Sequence, residues 1–119
     1  MTTDNQIEQE IQAKGKTAAR VTPADIEAEI ASEHYFTADQ PFRLPHLLEI
    51  AGGVPNEQQL SLLTFCVLAL RNGFTVTGES ACASPENFDA EIGRKIARQN
   101  AVNKVWPLLG FRLRDHLAA

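Results

Sequence analysis

Asn72-Gly73 stands between two β-prone stretches, residues 62–70 and 74–81, and restricts what this chain can become more than any other feature. Asn-Gly is the strongest short hairpin signal, because a type I′ turn needs a positive φ at both central residues. Counting outward from a two-residue loop puts Arg71 opposite Phe74, Leu70 opposite Thr75, Val67 opposite Gly78 and Cys66 opposite Glu79. Side chains alternate between the faces of a strand. This register therefore gathers Phe65, Val67, Ala69, Phe74 and Val76 on one face, the expected core side. Cys66, Leu68 and Leu70 take the other face, while Cys82 falls on the face of Phe74 and Val76, so the two cysteines are expected to stay unpaired. The first strand is apolar on both faces, and a lone two-stranded ribbon is marginal in water. It needs cover from the C-terminal helix, from a further strand, or from a second copy of the chain.

The segments around the hairpin read as helices. Ser84 is the expected N-cap of the longest one, with Pro85 at its first position and Glu86 in its first turn. Phe88, Ile92, Ile96, Ala97, Ala101 and Val105 form its apolar stripe, and Pro107 is expected to stop it near Trp106. Beyond that, Phe111 and Leu113 alternate as in a strand while Leu109, Leu113 and Leu117 are spaced as in a helix; a short helix from Leu113 is favoured. At the other end, residues 4–14 are helix-prone, with Ile7 and Ile11 one turn apart and Gly15 as a stop. So thin a stripe should fray unless something covers it. Thr22-Pro23-Ala24-Asp25 opens a second helix carrying Ile26 and Ile30. Between these helices and the hairpin, Pro41, Pro45, Gly52, Gly53 and Pro55 surround Leu47-Leu48-Glu49-Ile50, which reads as a connector with at most one helical turn, placed to act as a lid or partner-specific insertion. The expected fold is α+β in a single domain: a helical segment over residues 1–35, a variable connector over 36–61, and a hairpin-plus-helix core over 62–119.

A chain of 119 residues, 44% hydrophobic and 22% charged, can bury a core without metal or disulfide staples. Its longest apolar run, broken only by Thr64, is far shorter than the ~20 residues that cross a bilayer. The N-terminus lacks the basic start and apolar stretch of a signal peptide, so a cytoplasmic location away from membranes is expected. The net charge of −4 is uneven: residues 1–40 hold eight acids against three bases, and residues 87–119 hold three acids against six bases. Opposite ends should attract, either within the chain or between copies. The overall acidity argues against nucleic acid as a partner.

Few residues suggest chemistry. Gly78-Glu79-Ser80-Ala81-Cys82 places a carboxylate, a hydroxyl and a thiol ahead of the expected helix start, where free amides favour anions. Arg94 and Arg98 lie one helical turn apart, able to grip phosphate. Asn87, Asn100 and Trp106 add hydrogen-bonding groups along the same helix. Gly78, Glu79, Ser80, Asn87, Arg94, Arg98, Asn100 and Trp106 are therefore the candidate residues for a ligand or partner. His34, His46 and His116 have no metal-ligand spacing, and no motif joins a nucleophile to a base and an orienting acid. Neither a metal, a cofactor nor a catalytic residue is expected.

Asn72-Gly73-Phe74-Thr75-Val76-Thr77-Gly78-Glu79-Ser80-Ala81-Cys82, followed by Ser84-Pro85-Glu86-Asn87-Phe88-Asp89, resembles a family of small tailed-phage proteins named after gene products forty-nine and sixty-six of two phages. Gly93-Arg94-Lys95-Ile96-Ala97 and Trp106-Pro107-Leu108-Leu109-Gly110-Phe111 extend the resemblance over residues 62–113. Ile11-Gln12-Ala13-Lys14-Gly15 and Thr22-Pro23 extend it toward the N-terminus. The resemblance implies origin rather than activity: an accessory protein of a phage or prophage, acting in the host cytoplasm. Such proteins commonly work stoichiometrically. The leading expectation is a non-enzymatic protein that binds a host macromolecule, most simply a host protein. A sponge for an anionic, nucleotide-like signal is the alternative, with nucleic-acid binding third. The uncovered strand face adds the expectation of a homodimer built through the hairpin.

Overall fold

The computed structural model describes residues 3–43 and 56–119. The chain begins with α1 (Asp4–Ala13), where Thr3 and Gln6 close a reciprocal capping box, and Gly15 follows at φ +69°. A second capping box, Thr22 with Asp25, starts α2 (Pro23–Glu29). The chain then extends at once into β1 (Ile30–Thr37), a strand in the stretch that reads as helical from sequence, so His34 lies mid-strand and not at a helix end. A 3₁₀ turn at Gln40–Arg43 and the short α3 (Glu57–Leu60) flank residues 44–55; the expected turn at residues 47–50 lies outside the described residues. β2 (Leu63–Leu70) and β3 (Thr75–Ala81) complete an antiparallel sheet of order β1-β2-β3. The α+β architecture of a hairpin extended by a further strand, packed on a long C-terminal helix with helices ahead of it, is the one expected.

The hairpin register differs from the expected one by one residue. Cys66 faces Gly78, Val67 faces Thr77 and Leu68 faces Val76. The loop has three residues rather than two: Gly73 N–H donates to the Leu70 carbonyl and Leu70 N–H to the Phe74 carbonyl. Gly73 alone has positive φ, +89°, and Asn72 instead accepts from Phe74 N–H through its side chain. This is a bulged turn, not type I′. A one-residue slip exchanges the faces of a strand. The core side of β2 is Thr64, Cys66, Leu68 and Leu70, facing Val76 and Gly78 of β3, while Phe65, Val67 and Ala69 point outward and Phe74 is exposed. Both cysteines are free thiols, although the true register puts Cys82 on the same side as Cys66.

The long helix, α4 (Ala90–Ala118), starts later and ends later than its sequence suggests. Ser84 makes no side-chain cap; Pro85–Asn87 is a 3₁₀ turn, and the Asp89 carboxylate caps the amides of Glu91 and Ile92. Pro107 does not end the helix. It sits on the exposed side, where the lost hydrogen bond is left to water, and buried Val105 and Leu109 hold the helix on either side of it. The tail from Leu113 is helical, as expected, but continues α4.

Ile26, Cys66, Leu68, Leu70, Val76, Ala97, Ala101, Val102, Val105 and Leu109 form the core between the sheet and α4. Their contact is close because small residues meet. A methyl group on Gly78 would lie 2.2 Å from the Ala97 carbonyl oxygen and 2.3 Å from the Ala101 amide nitrogen, so backbone packs on backbone there. Ile92 and Ile96, assigned to the buried stripe from spacing, are exposed, because Gly93, Ala97 and Ala101 take the inner side.

Candidate functional site

The sheet presents two unlike faces. Across its outer face, register sets Phe36, Phe65 and Glu79 in one row, His34, Val67 and Thr77 in the next, and Ser32, Ala69 and Thr75 in a third, with Leu63 beside Ala81. Phe36 and Phe65 stack with ring centroids 5.1 Å apart and planes 17° from parallel. Leu63, Phe65, Val67, Ala69 and Phe36 are only half-buried, and none belongs to the core. Exposed Thr75, Thr77 and Glu79 border this apolar strip on one side and exposed His34 on the other.

The inner face carries the charge asymmetry of the sequence. Arg98 on α4 reaches Glu27 on α2 through both terminal nitrogens, at 3.1 and 2.8 Å, and Glu33 on β1 through Nε at 3.0 Å. Tyr35 donates its hydroxyl to Glu33 in a short hydrogen bond. That bond and Arg98 hold the Glu33 carboxyl below its ordinary range, while burial pushes the Tyr35 phenol and the Cys66 thiol up. Arg112 pairs with Glu29 at 2.7 Å. Acidic N-terminal and basic C-terminal segments thus meet within one chain. The same holds for α1, expected to fray: Trp106 Nε1 donates to Asp4 at 3.1 Å, and Arg20 forks onto Glu8 at 2.6 Å on both branches. The Arg20 guanidinium draws the Glu8 carboxyl down to about 2.

The residues nominated from sequence do not converge on one site. Gly78 is filled by the α4 backbone, and the Glu79 carbonyl accepts from Asn100 Nδ2 at 2.7 Å. Gly78, Glu79 and Ser80 lie within β3 rather than ahead of a helix N-terminus, which lies beyond the turn holding Asn87. Ser80 and Asn87 do share a cleft of about 130 Å³ with Thr64, Cys82, Phe88 and Ile92. Arg98 is engaged by two carboxylates and Trp106 by Asp4, while the exposed side chains of Glu79, Asn87 and Arg94 have no hydrogen-bond or ion-pair partner among the described residues. A different group does converge. Arg20, Arg71, Arg112 and His116 line a cleft of about 380 Å³ together with Asp25 and Glu29. Arg71 gives its Nε to the Ala28 carbonyl, and its charge adds to that of Arg112 in holding the Glu29 carboxyl below its ordinary range. No spacing rule could have found this cleft, since its bases come from a loop, a turn and the far end of α4.

With this geometry, residues 21–117 match the Phage protein (N4 Gp49/phage Sf6 gene 66) family. The chain belongs to this family. The match runs from the cap of α2 almost to the end of α4 and so takes in the whole sheet and both of its faces, leaving α1 ahead of it. No curated protein and no solved structure gives a significant match. Among the described residues, no helix of this phage protein is long and apolar enough to cross a membrane.

Proposed function

We propose that this phage protein acts stoichiometrically in the host cytoplasm, by binding a host protein through the outer face of its sheet rather than by catalysis. The observation that carries the reading is that face: an apolar strip centred on stacked Phe36 and Phe65, with Val67, Ala69 and Leu63, framed by His34, Thr75, Thr77 and Glu79. Aromatic and aliphatic residues inside a polar rim are the anatomy of protein interfaces. Membership of a phage protein family supports looking for that partner in the host. The test is capture from host lysate on immobilised protein, with wild type and Val67→Glu compared. The reading requires a host protein that wild type retains and Val67→Glu loses. Equal retention by both would refute the outer face.

A second reading, an anionic nucleotide-like ligand, is favoured by the cleft of Arg20, Arg71, Arg112 and His116. Three of its bases are arginines, whose planar forks suit phosphate. Nucleotide-dependent thermal stabilisation that disappears in Arg71→Ala would support it, and no stabilisation by any nucleotide would dismiss it.

A further inference from the structure

We propose that the C-terminal half of α4 is a self-association surface whose partner is the same helix of a second copy, lying antiparallel. Among the described residues, the large hydrophobics left exposed include Phe111, the most exposed of them at 72%, and Leu108 at 38% on α4, with Phe74 at 55% beside them at the hairpin end. Lys104, Leu108, Phe111 and Asp115 follow one another at spacings of four, three and four residues, the interval that lines up a single seam along a helix. Lys104 and Asp115, at the two ends of the seam, have no ion-pair or hydrogen-bond partner among the described residues.

The order of these residues selects the orientation. Centred between Leu108 and Phe111, an antiparallel pair sets Lys104 of each copy against Asp115 of the other, and Leu108 of each against Phe111 of the other. Every contact then occurs twice under a twofold axis. A parallel pair would put lysine on lysine and aspartate on aspartate, which repel. The partner's aromatic ring also has a place to go. A cleft of about 210 Å³ opens beside the seam, lined by Leu70, Phe74, Leu108 and Leu109 together with Asn72 and the paired Glu29 and Arg112. A cavity of roughly 150 Å³ already holds benzene. Phe111 from the second copy would cover Phe74 and Leu108 while leaving the outer sheet face free. This surface replaces the hairpin face as the basis for a dimer, since α4 already covers Cys66, Leu68 and Leu70.

Light scattering and sedimentation of the full chain test the proposal. Wild type should be a dimer at high micromolar concentration, and Phe111→Glu a monomer with unchanged circular dichroism and melting. Lys104→Glu alone leaves only acids on the seam ends and Asp115→Lys only bases, so each should weaken self-association about tenfold or more. Mixed in equal amounts they should pair with each other, because both end contacts are then attractive. This mixture decides the question even if Phe111→Glu disturbs the fold. A monomeric wild type, a dimer indifferent to Phe111→Glu in a folded variant, or charge variants that fail to complement would overturn it.

Discussion

Gly78→Ala should damage this protein more than a single-methyl change at any other described glycine. The added carbon would stand 2.2 Å from the Ala97 carbonyl oxygen, 2.3 Å from the Ala101 amide nitrogen and 2.9 Å from the Asn100 carbonyl carbon, where ordinary contact begins near 3.4 Å. All three atoms are helix backbone, so no rotamer change relieves the clash. The helix must lift by about 1 Å, and a gap of that size forfeits roughly a quarter to a half of each dispersion contact it opens. The contacts at stake are those of Cys66, Leu68, Ala97, Ala101 and Val105, all fully buried. Overpacking typically costs about 1–3 kcal/mol and sometimes more. Because the obstacle is backbone on both sides, a loss at or above about 3 kcal/mol is expected, against a gain of only about 0.5–1 kcal/mol from replacing glycine in a strand. Urea unfolding followed by circular dichroism would measure it. Gly110→Ala, where nothing lies within 4 Å, is the control and should gain about 0.5–1 kcal/mol. A Gly78→Ala loss below about 1 kcal/mol at unchanged m-value would show that the helix does not rest on β3.

Three further outcomes follow from single residues. The buried Thr64 hydroxyl has no hydrogen-bond partner among the described residues, and an unsatisfied buried group costs about 1–3 kcal/mol, so Thr64→Val should raise the urea midpoint; a clear drop would mean that the hydroxyl is satisfied. Gly73→Ala, at φ +89°, should cost roughly 1 kcal/mol or more, and Asn72→Ala less, because Asn72 gives up only one side-chain hydrogen bond; equal large losses would restore the type I′ turn. Glu8 titrates at about 2 in the folded chain against an ordinary 4.5, a depressed carboxylate whose contribution is present above its unfolded value and lost as pH falls through the folded one. Stability should therefore decline between about pH 4.5 and pH 2, with Trp106 fluorescence reporting release of α1, and Glu8→Gln should flatten that slope. An identical slope in Glu8→Gln would remove Glu8 from the account.

How far the sequence spoke depended on whether a signal was local. Thr22-Pro23-Ala24-Asp25 is complete in four residues, and the helix starts where it says. Asn72-Gly73 announced a hairpin but not its register, since two- and three-residue loops both use a glycine at positive φ and differ by one residue of pairing. β1 was hidden because its inward positions include Glu33, whose charge is neutralised by Arg98, sixty-five residues away, and not by any neighbour. Ser84-Pro85 promised a helix and delivered a 3₁₀ turn; the true cap, Asp89, carried an equally good signal that the proline overshadowed. The candidate site suffered most. Asn100, Arg98 and Trp106 looked available for a ligand, and their actual partners, the Glu79 carbonyl, Glu27 with Glu33, and Asp4, lie in other elements. The outer strip of Phe36, Phe65 and Val67 was present in the sequence, but the shifted register assigned its β2 members to the core.

The outer sheet face is proposed to hold a host protein in a stoichiometric complex. Titration calorimetry with the host protein recovered in the capture experiment tests it most directly. One partner per protomer is expected, with binding weakened at least about 30-fold by Val67→Glu, in the row next to Phe36 and Phe65, and unaffected by Phe111→Glu on α4. Binding that keeps its strength in a folded Val67→Glu variant, or one bound partner shared among many protomers, would contradict it.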